Sequence, residues 1–213
     1  MLEVKEVKKS FSDRIILNNI SVNFEEGKVY ALTGESGSGK TTLLNLLGKL
    51  EESDSGQILY NSQDIQTLSS HKFYKEYLGY LFQNFGLMES HSIDENLNLG
   101  LVGKKISKED KKRVKLEALR KVNLSHLSLK QPIFELSGGE AQRVALAKII
   151  LKNPPIILAD EPTAALDPRN SEEVMEILLS LKSQNRIIII ATHNPIIWEK
   201  ADVVIKMDDL LEV

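Results

Sequence analysis

The sequence predicts an α/β fold in which a parallel sheet is covered by helices on both faces. Short apolar runs at Val29–Thr33, Ile156–Ala159 and Arg186–Ala191 have the length and composition of buried strands. They alternate with segments of helical apolar spacing, a pattern typical of a parallel sheet buried on both sides. The stretch between about residues 84 and 152 is mostly helical in pattern, which indicates a helical insertion between the two halves of the sheet.

The other elements complete this organisation. Asn153 is followed by two prolines, which cannot continue a helix, so the preceding helix should end there. We predict a single domain over residues 1–213, with an α/β core from 1–83 and 154–213 and a helical subdomain from 84–153. The remaining predicted strands are Leu2–Val7, Ile15–Phe24, Gln57–Tyr60, Leu78–Phe82 and Val203–Met207, and the predicted helices are Thr41–Leu50, Lys104–Lys121, Gly138–Leu151, Ser171–Ser183 and Pro195–Lys200.

Composition excludes several classes of function. The net charge of −3 gives no basic field, so we expect no nucleic-acid partner. The absence of cysteine excludes disulfides, thiolate metal sites and cysteine nucleophiles. No apolar run approaches the ~20 residues that a membrane-spanning helix needs. We therefore expect no direct membrane span in this sequence.

Residues 34–41 fit the pattern G-x-x-x-x-G-K-[ST], which binds the phosphates of a nucleoside triphosphate. Backbone N–H groups of this phosphate loop surround phosphate oxygens, Lys40 reaches the β- and γ-phosphates, and the Thr41 hydroxyl is a ligand for Mg²⁺. The pattern alone does not distinguish a transporter ATPase from a kinase or a GTPase. The nucleotide-binding residues predicted here are Gly34, Glu35, Ser36, Gly37, Ser38, Gly39, Lys40, Thr41 and Thr42.

Polar groups follow four predicted strands at their carboxyl ends. The first is the phosphate loop, and the others are Gln83, the pair Asp160-Glu161, and His193. If these strands are parallel, the four groups converge at one edge of the sheet. We predict that Asp160 binds Mg²⁺ together with Thr41 and that Glu161 polarises the attacking water. His193 would hydrogen-bond the γ-phosphate or orient that water.

The segment Leu136–Glu140, with sequence LSGGE, precedes a predicted helix. Ser137 and Glu140 have the spacing of a capping box, which would account for those two residues. The adjacent Gly138 and Gly139 are poor helix residues. Two glycines at a helix start are better explained if another group approaches the backbone closely, and an anion at the helix N-terminus would fit.

Leu136–Glu140, followed by Gln142-Arg143, resembles the signature motif of ATP-binding cassette (ABC) proteins. The resemblance extends in order over essentially all 213 residues. Phe11 is similar to the family's adenine-stacking aromatic, residues 34–41 to Walker A, Gln83 to the Q-loop glutamine, 156–160 to Walker B, Glu161 to the catalytic glutamate, 164–167 to the D-loop and His193 to the H-loop histidine.

This resemblance implies the ABC ATPase fold, with a P-loop NTPase parallel-sheet core, an N-terminal antiparallel β region and a helical subdomain that carries the signature. It implies ATP and Mg²⁺ as cofactors, and Gln83 as a third ligand of the metal beside Thr41 and Asp160. It also implies a head-to-tail homodimer in which the signature of one copy covers ATP bound to the other. The catalytic residues would be Glu161, His193, Gln83 and Lys40, and the residues acting on ATP across the dimer would be Ser137, Gly138, Gly139 and Glu140.

Within the family, the chain looks most like ATPases of the lipoprotein-release, macrolide-export and bacteriocin-export branch, with the lactococcin-type subgroup one possibility. The resemblance implies transmembrane permease subunits on separate chains, which would hold the ATPase at the cytoplasmic face of the cell membrane. An alternative is a regulatory or mechanotransmission ATPase that signals to a membrane partner without moving substrate. Both functions would use the same catalytic residues.

Two surface segments have open interpretations. Residues 83–88 are predicted to contact the permease through the apolar side chains of Phe85, Leu87 and Met88, unless these fold into the core of their own loop. Lys104–Lys121 carries nine basic and three acidic residues and is predicted to be a solvated helix face, with contact to anionic lipid head groups as the alternative.

Overall fold

The computed structural model describes residues 1–211, without the side chains of Ile196 and Leu211. The chain divides into two compact units. The first contains Met1–Leu78, Pro155–Glu161 and the described residues from Lys182 onwards, and the second contains Gly79–Pro154 and Pro162–Leu181. Pro162–Leu181 includes a helix that the sequence analysis assigned to the α/β core. The subdomain boundaries given above stay a prediction.

The secondary structure alternates as the sequence predicts. The strands are β1 (Leu2–Phe11), β2 (Arg14–Phe24), β3 (Val29–Thr33), β4 (Ser55–Tyr60), β5 (Gln63–Asp64), β6 (Leu78–Leu81), β7 (Ile156–Asp160), β8 (Ile187–Ala191) and β9 (Val203–Lys206). The helices are α1 (Lys40–Leu47), α2 (Ser70–Glu76), α3 (Ile93–Asn98), α4 (Lys108–Lys121), α5 (Gly138–Lys152), α6 (Pro168–Ser180), α7 (Pro195–Lys200) and α8 (Met207–Leu211), with 3₁₀ turns at Ile65–Thr67, Leu99–Leu101 and Ile133–Glu135.

The first unit contains parallel strands in the order β7-β8-β3-β9. Every residue of β3, β7 and β8 is buried, which is expected for strands covered on both faces. The edge strand β9 instead alternates between half-buried and exposed side chains. The predicted parallel sheet is therefore confirmed, and its carboxyl ends carry the phosphate loop, Asp160-Glu161 and His193.

An antiparallel sheet in the order β2-β1-β4-β5 forms the rest of the strand structure of the first unit. Leu2 pairs with Phe24 on one side and with Tyr60 on the other, which fixes the register of three strands at the start of the chain. Leu2 and Phe24 are fully buried. This sheet is the N-terminal antiparallel region that the resemblance implied.

Several predicted boundaries are wrong, and local contacts explain why. The helix predicted from Lys104 begins at Lys108, because Ser107 caps it by accepting a hydrogen bond from the Asp110 amide at 3.0 Å. Lys104 lies before the helix and donates to the Leu151 carbonyl at 2.6 Å. The strand predicted to Met207 ends at Lys206, since Met207 begins α8. β5, α2 and α8 were not predicted from the sequence, and α3 was predicted only as part of the mostly helical stretch between about residues 84 and 152.

Candidate active site

The phosphate loop connects β3 to α1. Gly39 lies directly before α1 with a φ of 94°, and a Cβ at this position would lie 2.9 Å from Cδ2 of Leu17. Glycine is therefore required here by both conformation and space. The first turn of α1 carries no acidic side chain, so its backbone N–H groups can meet an anion.

Lys40 lies inside this loop with only 7% of its surface exposed. Its Nζ donates hydrogen bonds to the carbonyl oxygens of Gly34 and Glu35, each at 2.9 Å. Burial lowers the pKa of Lys40, against the opposing effect of nearby Glu161 and Asp160. The amine is thus already largely removed from water and lies beside the loop that would receive the phosphates.

Ser38 supplies a direct test of whether this loop fits a phosphate. Its Oγ is buried and has no hydrogen-bond partner among the described residues. A buried hydroxyl without a partner is costly, and a phosphate oxygen would satisfy it. The remaining loop residues Glu35, Ser36 and Gly37 are exposed, as is Thr41, while Thr42 is half-buried.

Thr41 and Asp160 come together although they are far apart in sequence. The Thr41 hydroxyl donates to Oδ1 of Asp160 at 3.1 Å. Burial raises the pKa of Asp160, and the Thr41 hydrogen bond and the Lys40 charge partly oppose that rise. A carboxylate and a hydroxyl are hard oxygen ligands of the kind that Mg²⁺ prefers. In residues 1–211 as described, no group of three or more His, Cys, Asp or Glu could hold a metal.

Glu161 follows β7 in a left-handed backbone conformation, with a φ of 43°. This conformation is unusual for a residue with a side chain and is held by a hydrogen bond from the Glu161 amide to the Ala191 carbonyl at 2.9 Å. The His193 amide donates to Oε2 of Glu161 at 3.4 Å, and His193 Nε2 lies 3.3 Å from Oε1 without hydrogen-bond geometry. Burial raises the pKa of Glu161, while His193 opposes the rise.

The structure therefore brings together five of the predicted site residues in the first unit, namely Lys40, Thr41, Asp160, Glu161 and His193. Phe11 also belongs to this unit and is 47% exposed, with Lys9 Nζ 5.0 Å from its ring centroid. Gln83 is exposed and belongs to the second unit, after β6. Its role at the metal and its contact with the other three groups at the sheet edge stay a prediction.

The segment Leu136–Glu140 forms the capping box that its spacing indicates. The Glu140 amide donates to Ser137 Oγ at 3.3 Å, and the Ser137 amide donates to Glu140 Oε2 at 2.9 Å. Ser137 and Gly138 are exposed, whereas Gly139 is buried. The sequence predicts that another group approaches the backbone at these glycines. At Gly139 that group belongs to the same chain: the side-chain amide of Asn170 lies so close that a Cβ at Gly139 would collide with it.

Comparison with known proteins identifies the family. Residues 17–164 match the family described as ABC transporter. The chain belongs to the ABC transporter family. It is an ATPase of the ATP-binding cassette type, as the motif order indicated.

The relatives of this cassette include both single cassettes and longer proteins. The lipoprotein-releasing system ATP-binding protein LolD of Buchnera aphidicola is 40% identical over 198 residues, which cover 91% of this chain and 86% of LolD. The macrolide export ATP-binding/permease protein MacB of Campylobacter jejuni is 36% identical over 214 residues, which cover 98% of this chain but 33% of MacB. The chain thus spans about a third of the length of MacB.

A solved structure confirms the predicted ABC ATPase fold. The ATP-binding cassette MJ0796, determined as a dimer in a post-hydrolysis state bound to ADP and Pi, is 31% identical to this chain. The superposition covers 97% of this chain and 94% of MJ0796 with a TM-score of 0.87. Within the described part of the cassette, no helix is long and apolar enough to cross a membrane.

Residues 83–88, which we call the coupling loop, are anchored to the helices of the second unit. Asn96 is fully buried and clamps Met88, since its Oδ1 accepts from the Met88 amide at 2.8 Å and its Nδ2 donates to the Met88 carbonyl at 3.1 Å. Lys148 Nζ donates to the Gly86 carbonyl at 2.7 Å. Phe85 and Leu87 are half-buried, whereas the Met88 side chain is 36% exposed.

The contribution of Lys148 to the stability of the cassette should depend on pH. Burial, reinforced by nearby Lys152, lowers the pKa of Lys148 to about 8 from the ordinary 10.5. Between these values the unfolded chain binds more protons than the folded cassette, so the contribution of Lys148 to stability rises with pH across this window. The Lys148→Met variant lacks this titration. Relative to that variant, we expect the wild-type free energy of unfolding to rise by about 1–3 kcal/mol from about pH 7 to about pH 10, measured by urea unfolding.

A control separates this effect from the general loss of lysine charge at high pH. Lys112 is exposed on α4, so Lys112→Met should follow the wild type at every pH. An unchanged difference between wild type and Lys148→Met across the range would contradict the assignment of the titration to Lys148.

Proposed function

We propose that this cassette hydrolyses ATP with Mg²⁺ as a head-to-tail homodimer and thereby drives transmembrane permease subunits that export a peptide, lipoprotein-like or drug-like substrate. The observation that carries the proposal is the cluster of buried Lys40, the Thr41–Asp160 pair and the strained Glu161 beside His193. Each group has the chemistry and position that hydrolysis of a bound γ-phosphate needs.

The residues divide the work of hydrolysis. Lys40 and the loop amides hold the β- and γ-phosphates, and Thr41 and Asp160 would hold Mg²⁺, which neutralises charge on the phosphate oxygens when bound. Water attacks the γ-phosphorus as the bond from phosphorus to the bridging oxygen breaks, and the water proton passes to Glu161. The raised pKa of Glu161 makes it a better proton acceptor than an ordinary carboxylate, provided that it is ionised. His193 orients the Glu161 carboxylate through the two contacts described above.

A second copy would complete the site. Ser137 and Gly138 are exposed at the N-terminus of α5, where backbone amides and the helix dipole favour an anion. The dimeric state of the related cassette MJ0796 supports this arrangement. Mixing two inactive variants tests it. An equimolar mixture of Glu161→Gln and a Ser137→Glu variant should recover activity, because each mixed dimer contains one intact composite site, whereas neither variant alone should be active.

The permease partner is supported by the relatives. LolD belongs by name to a lipoprotein-releasing system, and MacB is an ATP-binding/permease protein for macrolide export. We propose permease subunits on separate chains, because the match to the ATP-binding protein LolD covers 91% of this chain and 86% of LolD. Co-expression with a candidate permease subunit, followed by purification in detergent, tests this. Co-purification with substrate-stimulated ATPase activity supports export, and co-purification with stimulated ATPase but no transport in vesicles would favour the signalling alternative.

The coupling loop supplies a test of where the permease binds. Met88 is exposed while its backbone is fixed by Asn96, so Met88→Asp should alter the surface without unfolding the loop. We expect this variant to lose co-purification with the permease while the isolated cassette keeps its ATPase rate. Leu116→Asp is the matched control, since Leu116 is a comparably exposed apolar residue on α4. Equal loss of binding in both variants would contradict a permease site at the coupling loop.

A further inference from the structure

Asn170 lies in the first turn of α6 and joins two charged groups. Asp167 caps this helix, with its Oδ1 accepting from the amides of Arg169 and Asn170, each at 3.1 Å. The Asn170 side chain adds a second link, because its Nδ2 donates to Asp167 Oδ2 at 2.5 Å. Its Oδ1 accepts from Arg143 at 2.7 Å. With an anion on one side and a cation on the other, only one orientation of the amide satisfies both contacts.

Arg143 connects this contact to α5. Arg143 is only 7% exposed, and its Nη1, which donates to Asn170, also donates to Oε2 of Glu173 at 2.9 Å. Its Nε is buried without a partner among the described residues, so the guanidinium depends on the bonds that Nη1 makes. A buried charge that loses a partner is strongly unfavourable, which makes the position of Asn170 hard to change independently of α5.

The same amide lies against the backbone of Gly139. A Cβ at Gly139 would collide with the Oδ1, Cγ and Cβ atoms of Asn170, and these atoms are part of a side chain that both Asp167 and Arg143 hold in place. Gly139 is the second residue of α5, directly after the exposed Ser137 and Gly138. The Asn170 amide therefore fixes the position of the first turn of α5 relative to Asp167, the cap of α6. Both helices belong to the second unit.

We infer that Asn170 is a positioning residue for ATP hydrolysis, which holds Ser137 and Gly138 in the place where they meet ATP bound to a second copy of the chain. The inference rests on the proposed function of these two residues. Asn170 itself touches no nucleotide. It acts by fixing Gly139 through van der Waals contact and Arg143 through a hydrogen bond, so that the first turn of α5 and the Asp167 cap move as one piece.

The Asn170→Ala variant removes both hydrogen bonds of the side chain and the amide atoms, Oδ1 and Cγ, that lie nearest to Gly139. We expect kcat for ATP hydrolysis to fall by between about 10- and 100-fold, the loss that a small displacement of a binding group produces. The affinity of the monomer for ATP should stay unchanged, since Lys40 and the phosphate loop are intact. Asn170→Thr introduces a shorter hydroxyl that can donate to Asp167 or accept from Arg143, and it should recover part of the rate. Glu172→Ala, at an exposed position of the same helix, should behave as wild type.

A double-mutant cycle tests the contact with Gly139. Gly139→Ala should lower kcat strongly in the wild-type background, because the added methyl group meets the fixed amide. In the Asn170→Ala background the same change should cost much less, and a non-additive result of this kind reports direct coupling. Thermal unfolding of each variant shows whether it remains folded. Additive effects on kcat, in variants that remain folded, would overturn the inference.

One further variant separates this inference from the function on which it rests. If Ser137→Glu abolishes hydrolysis while Asn170→Ala leaves kcat and ATP-dependent dimer formation unchanged, the positioning role is wrong and the composite site stands. If Ser137→Glu also leaves the rate unchanged, the composite site itself is wrong. A fall in kcat with equal loss of monomer affinity for ATP would show a general structural defect and would also refute the positioning role.

Discussion

The Glu161→Gln variant should bind ATP and Mg²⁺ normally but hydrolyse ATP about 10²–10⁴-fold more slowly than wild type, the range that a general base contributes. Glutamine is similar in size to glutamate and can retain the contact with the His193 amide, so the strained turn after β7 should persist. The amide cannot accept the proton of the attacking water at this step. Nucleotide binding, which depends on Lys40, Thr41 and Asp160, is expected to be unaffected.

The same variant should accumulate a dimer. ATP binds the closed dimer better than the open form and shifts the population towards it, and hydrolysis normally reverses that shift. With hydrolysis blocked, size-exclusion chromatography in ATP and Mg²⁺ should show a stable dimer that EDTA dissociates. Glu176→Gln, which changes an exposed carboxylate on α6, is the control and should turn over and elute as wild type. Normal turnover in Glu161→Gln would refute the role of Glu161 as the base.

Lys40→Ala should mainly lose nucleotide binding, with an increase in the dissociation constant for ATP of about 10²-fold or more. A charge-assisted hydrogen bond contributes about 1.5–3 kcal/mol, and Lys40 would make such bonds to two phosphates. Lys40 is only 7% exposed and its pKa is lowered by burial, so little desolvation remains to oppose contact of its amine with phosphate. Titration with a fluorescent ATP analogue, followed by intrinsic or analogue fluorescence, measures the change.

Two comparisons make the Lys40 result specific. Lys72→Ala removes an exposed lysine from α2 in the same unit and should leave the affinity for ATP unchanged. Lys40→Arg keeps the charge but places a larger group in a buried position, so it should restore affinity only in part. If Lys40→Ala binds ATP as tightly as wild type, the phosphate loop does not hold nucleotide in the predicted way.

The parts of the site that are local in sequence could be predicted well. Val29–Thr33 and the eight residues from Gly34 to Thr41 form a strand, a loop and a helix start, and each step depends on neighbouring residues and on glycine geometry. The capping box at Ser137–Glu140 is local in the same sense. Helix boundaries were less predictable. The Ser107 cap determines the start of α4 at Lys108, four residues after the Lys104 start that was predicted from the residue pattern.

Long-range contacts could be anticipated only as convergence at the edge of a parallel sheet. Asp160, Glu161 and His193 were expected near the phosphate loop, because the carboxyl ends of parallel strands lie at one edge of a sheet. The role of Asn170 was not foreseen, since an asparagine after Asp167-Pro168 has the pattern of an ordinary helix start. The close approach expected at the two glycines of the signature is made at Gly139 by the Asn170 amide, which no local pattern indicates.

The fold class and the family could be predicted from local sequence patterns, because glycine patterns, capping spacing and apolar runs are encoded in adjacent residues. The arrangement of the chemical groups depends instead on tertiary contacts. The Thr41–Asp160 hydrogen bond joins residues 119 positions apart, and the Arg143–Asn170 bond joins residues 27 positions apart. Such contacts follow from how buried strands and helices pack, and packing depends on the shapes of side chains that no local pattern records.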